Sequence, residues 1–250
     1  MLQLCCKIDA IDHPLPPSPS LSITMLLASA PLPLSSTPPY LMYAMLQLRQ
    51  FVFIIEQTCL YGDLDGADGG DTLHLPVFST VDAPTADEQA LVGAGGFDPT
   101  LVKKTVRLAA GPAEVETTRA VLFRAGSVGL GDQVDPATIV RLVGTLRILA
   151  PKPGQKEAEA ALGRVAVHAE ARGLGVGRFL VERGIAAARQ RFPGAALHAG
   201  AQLYLQAWYE SLGFVRDSDV YLEDDIPHIS MHYEEGVSSS PLSPSPSPSS

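Results

Sequence analysis

The sequence predicts an α/β (α+β) domain built on a mixed sheet, and three observations lead there. The apolar runs "IVRLVGTLRIL" (139–149) and "GRVAVH" (163–168) read as strands, and a glycine-rich turn and a helical stretch to about Arg191 follow them. A second strand–helix pair comes next, "AALHAGAQ" (195–202) and "LYLQAWYESL" (203–212). The chain then closes on "GFVR" and "HISMHY" (228–233), strand-like segments with no helix between them.

The elements before this core are less regular. Residues 1–37 are rich in Pro and Ser with no sustained period, and they are expected to form a disordered extension. From Pro39 a helical pattern begins, with Leu41, Met45, Leu48, Phe51 and Ile55 recurring at threes and fours. "YGDLDGADGGD" (61–71) is a glycine–aspartate loop and "TLHLPVFS" (72–79) a strand. Residues 81–138 turn Ala/Gly-rich, with two candidate strands, "LVKKTVRLAA" and "TTRAVLFRAG", joined around Gly111-Pro112. The expected domain thus spans 38–235, and 236–250 is a Pro/Ser-rich disordered tail.

Composition narrows the function classes. Of 250 residues, 46% are hydrophobic and 18% charged, so a sizeable core can form. The net charge of −9 argues against nucleic acid or an anionic membrane surface as main partner. Three cysteines, Cys5, Cys6 and Cys59, give neither a disulfide framework nor a metal knuckle. The best apolar run, Leu41 to Ile55, is too short for a membrane span and contains Arg49. "ITMLLASA" mimics a signal-peptide core, but a Pro/Ser-rich segment precedes it, and Asp9 and Asp12 accompany the single Lys7. A cytoplasmic location is expected, with organelle targeting by the extension left open.

The segment "GRVAVHAEARGLGVGRFLVERGI" (163–185) carries the chemistry. Its glycines, Gly173, Gly175 and Gly177, fit neither a dinucleotide fingerprint, since Arg178 stands where the last glycine belongs, nor a Walker loop. What remains is a set of backbone N–H groups at a helix start, with Arg172 and Arg178 adding positive potential, which suits a pyrophosphate. A tight strand-to-helix turn without ligand accounts for the glycines equally well. Glu56 ends an apolar helical run and is a candidate general base, with a helix-terminal or ion-pairing residue as the equal alternative. Asp63, Asp65, Asp68 and Asp71 miss the EF-hand pattern, with Gly66 at the fourth position and His74 at the twelfth, so no metal is expected. An acidic rim attractive to a cationic amine, or a solvated loop, fits them better.

Four stretches taken together resemble the GNAT superfamily of N-acetyltransferases, in its ElaA-like branch. They are "LRQFVFIIEQTCLYGDLDG" (48–66), "GRVAVHAEARGLGVG", "GAQLYLQAWYESLGF" (200–214) and "VYLEDDIPHISM" (220–231). The resemblance implies a twisted, mostly antiparallel sheet flanked by helices, with a splayed pair of central parallel strands. It implies acetyl-coenzyme A as co-substrate and transfer of the acetyl group to a primary amine of a small molecule or peptide, by direct attack in a ternary complex. A monomer or homodimer is expected.

Residue by residue, Val165, Ala166 and Val167 correspond to the strand that pairs with the pantetheine arm. Arg172, Gly173, Leu174, Gly175, Val176, Gly177 and Arg178 correspond to the pyrophosphate loop, and Gln202 stands where many relatives have asparagine. Tyr209 takes the place of the general acid, with a core aromatic beside Trp208 as the alternative; an ordinary phenol is protonated at neutral pH and can donate to a thiolate. His168 is expected to be a surface or packing residue, and His74 and His228 pocket walls. The family's first strand is not evident before Tyr40, and 81–138 is an insertion between its second and third strands. A non-catalytic acyl-coenzyme A binding protein on the same fold is the alternative.

Overall fold

The computed structural model describes residues 23–57, 62–84, 89, 92, 103–107, 114–118, 121–154 and 158–236. The chain enters the fold earlier than its sequence suggests. Strand β1 (Leu26–Ala28) lies antiparallel to Ser79–Val77, and β2 (Leu32–Pro33) pairs with Leu73 and His74. The expected disorder through residue 37 is therefore corrected from Leu26 onward. Strands of two and three residues flanked by prolines have no period to detect.

Helix α1 (Pro39–Arg49) starts with proline at its first position, where the missing N–H costs nothing, and runs on as a π-helical turn, Gln50–Glu56. Leu41, Met45 and Leu48 are buried, as the α-helical period requires. Beyond Arg49 the wider turn shifts the phase, and Val52 and Phe53 are buried in place of the expected Phe51 and Ile55.

Strand β3 (Leu73–Thr80) follows the aspartate loop. The inserted region holds a separate hairpin, β4 (Lys103–Arg107) with β5 (Glu114–Thr118), and then β6 (Leu122–Arg124). It is not merely a surface decoration. Leu122, Phe123, Ala125, Val128 and Leu130 are all buried, and β6 pairs with the first residues of β7 (Ile139–Leu149). Next come β8 (Glu159–Val167), α2 (Val176–Arg191), β9 (Ala196–Gln202), α3 (Gln206–Glu210), β10 (Phe214–Arg216), β11 (Tyr221–Glu223) and β12 (Ile226–Tyr233).

The main sheet runs β1-β3-β7-β8-β9-β12-β10, with β2, β6 and β11 attached to β3, β7 and β12. Among the described residues every pairing in this sheet is antiparallel except β8 with β9. One face packs on α2 through Leu75, Leu146, Leu162, Val165, Leu180 and Ile229, and α1 covers the other through Met45, Phe53, Phe78 and Phe123. Contact with α2 is close: a Cβ on Gly184 would lie 2.7 Å from Leu146 Cδ2. No described helix is long and apolar enough to cross a membrane.

Candidate active site

The parallel ladder between β8 and β9 lasts only from Glu159↔Ala196 to Leu162↔Ala199. Past that point each strand keeps its outer partner, β8 through Val167↔Gly144 and β9 through Gln202↔His228, so the two diverge and leave a notch. A bulge marks the point of departure. Between Arg147↔Gly163 and Thr145↔Ala166, Leu146 alone faces two residues, Arg164 and Val165. Arg164 sits at φ 49°, which costs an L-residue about 1–2 kcal/mol.

What holds this conformation comes from the aspartate loop. Arg164 Nε is 2.8 Å from Asp63 Oδ1 and Nη2 3.1 Å from Asp65 Oδ2. Arg147 reaches Asp65 at 2.5 Å and Asp68 at 3.2 Å, and Arg49 reaches Asp63 at 3.1 Å and Asp68 at 2.6 Å. The three guanidiniums are at most 2% exposed. Burial would raise the pKa of Asp65 and Asp68, but hydrogen bonds and charge from Arg147 and Arg49 outweigh it and hold both below the usual carboxylate range. His74, buried against Asp68 O at 2.9 Å, is pushed down chiefly by burial. The expectation of an acidic rim or solvated loop is thus corrected for Asp63, Asp65 and Asp68. Asp65 is exposed along its backbone but turns its carboxylate inward, 19% exposed, whereas the Asp71 side chain lies in solvent and pairs with Arg191.

Along the notch, β8 offers backbone rather than side chains. Val165, Ala166 and Val167 are fully buried, divided between the two cores. His168 N–H donates to Val143 O at 2.9 Å, so its neighbour Val167 directs its own N–H and C=O away from β7, toward the side that β9 has left. Arg172 occupies that carbonyl, with Nε at 3.2 Å and Nη2 at 3.1 Å.

Arg172 also forms a bidentate pair with Glu56, at 2.5 and 2.7 Å. Two expectations change here. The guanidinium of Arg172 is a strut tying the loop to the end of the α1 segment, and Glu56, with both oxygens on that guanidinium, is its anchor rather than an open proton acceptor. The pair is an ion-pairing arrangement, as the equal alternative for Glu56 expects.

The loop then narrows to backbone. His168 caps the turn 169–171 by accepting from Glu170 N–H at 3.3 Å. Gly173 and Gly175 have φ of 72° and 80°, and Gly175 is the N-cap of α2. No atom lies within 4 Å of a Cβ built at either, so the left-handed backbone requires glycine there while the space above stays open. The first N–H groups of the sixteen-residue α2, from Val176, Gly177 and Arg178, have no partner within the helix. Leu174 is exposed, and Arg178 leans to Ser211 Oγ at 2.8 Å.

Gln202 ends β9, 3% exposed, and one short turn leads from it to α3 and Tyr209. The ring of Tyr209 is fully buried, edge-on to Trp208 (4.8 Å between centroids) and Phe214 (5.4 Å). Sequence reasoning missed the charged cluster beneath the bulge. Its available signal was that Arg147 and Arg164 interrupt runs otherwise apolar enough to be buried strands.

A splayed parallel pair inside an antiparallel sheet, with a glycine loop and helix start beside it, makes a GNAT-like fold. Residues 141–235 match the family model described as Acetyltransferase (GNAT) domain. The chain also resembles the ElaA-like branch of that superfamily. It is 29% identical over 194 residues to Protein ElaA of Escherichia coli (strain K12), covering 77% of this chain and 87% of ElaA. The crystal structure of Escherichia coli ElaA superposes with a TM-score of 0.55 at 27% identity, over 84% of this chain and all of that one. An acyl-CoA N-acyltransferase from Pseudomonas aeruginosa gives 0.52 at 28% identity, over 85% of this chain and all of its own.

Proposed function

We propose that the protein transfers an acetyl group from acetyl-coenzyme A to a primary amine of a small molecule or peptide, by direct attack in a ternary complex. The observation that carries this reading is the notch between β8 and β9, with open-backed Gly173 and Gly175 beside it. The Pseudomonas aeruginosa relative, an acyl-CoA N-acyltransferase by name, supports it.

In this reading the first N–H groups of α2 and the glycine backbone hold the pyrophosphate, and Arg178 adds charge nearby. The unpaired side of β8 holds the pantetheine amides. Val167 N–H, aimed into the notch and fixed by the ladder behind it, donates to the thioester oxygen as negative charge develops there. Arg172 and Glu56 keep the loop and strand end in register. Tyr209 donates its hydroxyl proton to the departing thiolate. Gln202 lines the pantetheine side.

The test is release of free thiol from acetyl-coenzyme A by the full chain with a panel of amines. Amine-dependent thiol release supports the proposal. Tight coenzyme A binding without release by any amine would replace it with the non-catalytic binding reading, which the complete burial of the Tyr209 ring favours.

A further inference from the structure

The face of the sheet opposite α2 carries, among the described residues, a titratable side chain that the proposed chemistry does not use. His228 on β12 is 1% exposed, and its Nδ1 lies 2.8 Å from Ile226 O. A carbonyl oxygen only accepts, so Nδ1 carries the hydrogen and, in the neutral ring, Nε2 carries the lone pair. Nε2 is buried and has no hydrogen-bond partner among the described residues. The ring is held in place by Tyr221, stacked at 6.1 Å between centroids and 26° between planes. A rigid, buried acceptor without a donor calls for a ligand that brings one.

Its position says which ligand. In the β9–β12 ladder His228 stands directly opposite Gln202, and opposite residues share a face. Their neighbours Ala201 and Ile229 point into the α2 core, so Gln202 and His228 lie on the other face. Gln202 is three residues past Ala199, where the parallel ladder stops, so His228 sits one strand over from the wide end of the notch.

We infer that His228 is the proton acceptor for the incoming amine, a role that rests on the acetyl-transfer reading. Its Nε2 takes a proton from the substrate ammonium, directly or through one water: an N–H bond breaks and Nε2–H forms, while Nδ1–H stays on Ile226 O. The neutral amine nitrogen bonds to the acetyl carbon and the C–S bond breaks, its electron pair leaving on sulfur. The thiolate takes a proton from Tyr209, which regains one from the nitrogen, and the imidazolium releases its proton to solvent. The sum is ammonium plus thioester giving amide, thiol and one proton. Glu56, closed off by Arg172, is not needed.

The experiment combines the His228→Gln variant of the full chain with a long-range proton–nitrogen spectrum of the histidine-labelled parent. The expected result is a fall of about 10²–10⁴-fold in kcat/KM for thiol release, with acetyl-coenzyme A affinity by calorimetry unchanged. Free imidazole should partly restore turnover to His228→Ala. The parent spectrum should show the Nδ1–H tautomer, a readout that holds even if the variants do not fold. Turnover that survives in His228→Gln, or an Nε2–H tautomer in the parent, overturns this assignment alone. A parent that releases no thiol with any amine overturns the transfer reading and this role with it.

Discussion

Replacing Asp63 by Asn tests whether the aspartate loop is part of the interior. Asp63 accepts from Arg49 Nε at 3.1 and 3.3 Å and faces Arg164 Nε at 2.8 Å, while its own carbonyl accepts from Arg49 Nη2 at 2.9 Å. Three guanidinium charges meet three carboxylates in this cluster, so the substitution leaves one positive charge uncompensated on guanidiniums at most 2% exposed. Breaking a buried pair from one side costs about 3–5 kcal/mol. The left-handed turn at Arg164 loses its main support as well. For a domain of this size about 1 kcal/mol moves the melting temperature by roughly 2–4 °C, so a drop on the order of 6–20 °C is expected by calorimetry. Asp71→Asn is the control, because that pair with Arg191 is exposed on both sides and should change stability by less than about 0.5 kcal/mol. If Asp63→Asn melts within about 2 °C of the parent, the loop is a solvated surface turn and the account of the bulge fails.

Other consequences can be checked in the same way. Gly175→Ala should cost about 1 kcal/mol in urea unfolding, the left-handed strain less the reduced entropy of the unfolded chain. Its methyl group stands where a pyrophosphate would approach, so acetyl-coenzyme A affinity should fall by about tenfold or more in calorimetry, the loss of one charge-assisted hydrogen bond. Tyr209→Phe keeps the ring between Trp208 and Phe214, so single-turnover transfer should fall about 10²–10⁴-fold while acetyl-coenzyme A affinity holds. Stability should also respond to acid in two stages, followed by thermal melting against pH. The folded-state pKa of His74 lies below 6.5, so the unfolded chain binds the proton first and stability declines as pH falls from 6.5 through the folded value. Asp65 and Asp68 lie below 3.8, so a steeper loss starts near that pH and continues as it falls through their folded values.

The elements with a long, clean period were legible: Ile139–Leu149 is the strand its apolar run indicates, and α2 ends at Arg191 as expected. The glycine loop was legible too, because positive φ at Gly173 and Gly175 selects a residue type. The notch itself was known only by resemblance. It opens at a bulge on Arg164, a residue with no preference for left-handed backbone, held by partners about a hundred positions away. The same distance hid the role of Glu56, whose partner Arg172 is 116 residues further on. Nor could periodicity decide between a solvated and a buried aspartate loop, since the answer lies in arginines on strands β7 and β8. Helix phase was misread at Phe51 and Ile55 because a π-helical turn leaves no mark in composition.

The way the insertion joins the sheet has a practical consequence. Thr80, at the end of β3, and Phe123, on β6, both pair with Val140 from opposite sides. Two strand spacings, about 10 Å, therefore separate the points where the intervening segment leaves and returns. Closure of a loop depends on length only logarithmically, so cutting a segment of roughly forty residues to five would change the closure term by only about 2 kcal/mol, in favour of folding. Leu122, Phe123 and the turn behind them, being core, would have to stay, and the cut would give up Val92, buried against Leu122 and Ile139. With its two roots side by side, the segment between them is a natural socket: a circular permutant could open there, or a reporter domain be housed there, without disturbing the strand order on which the notch depends.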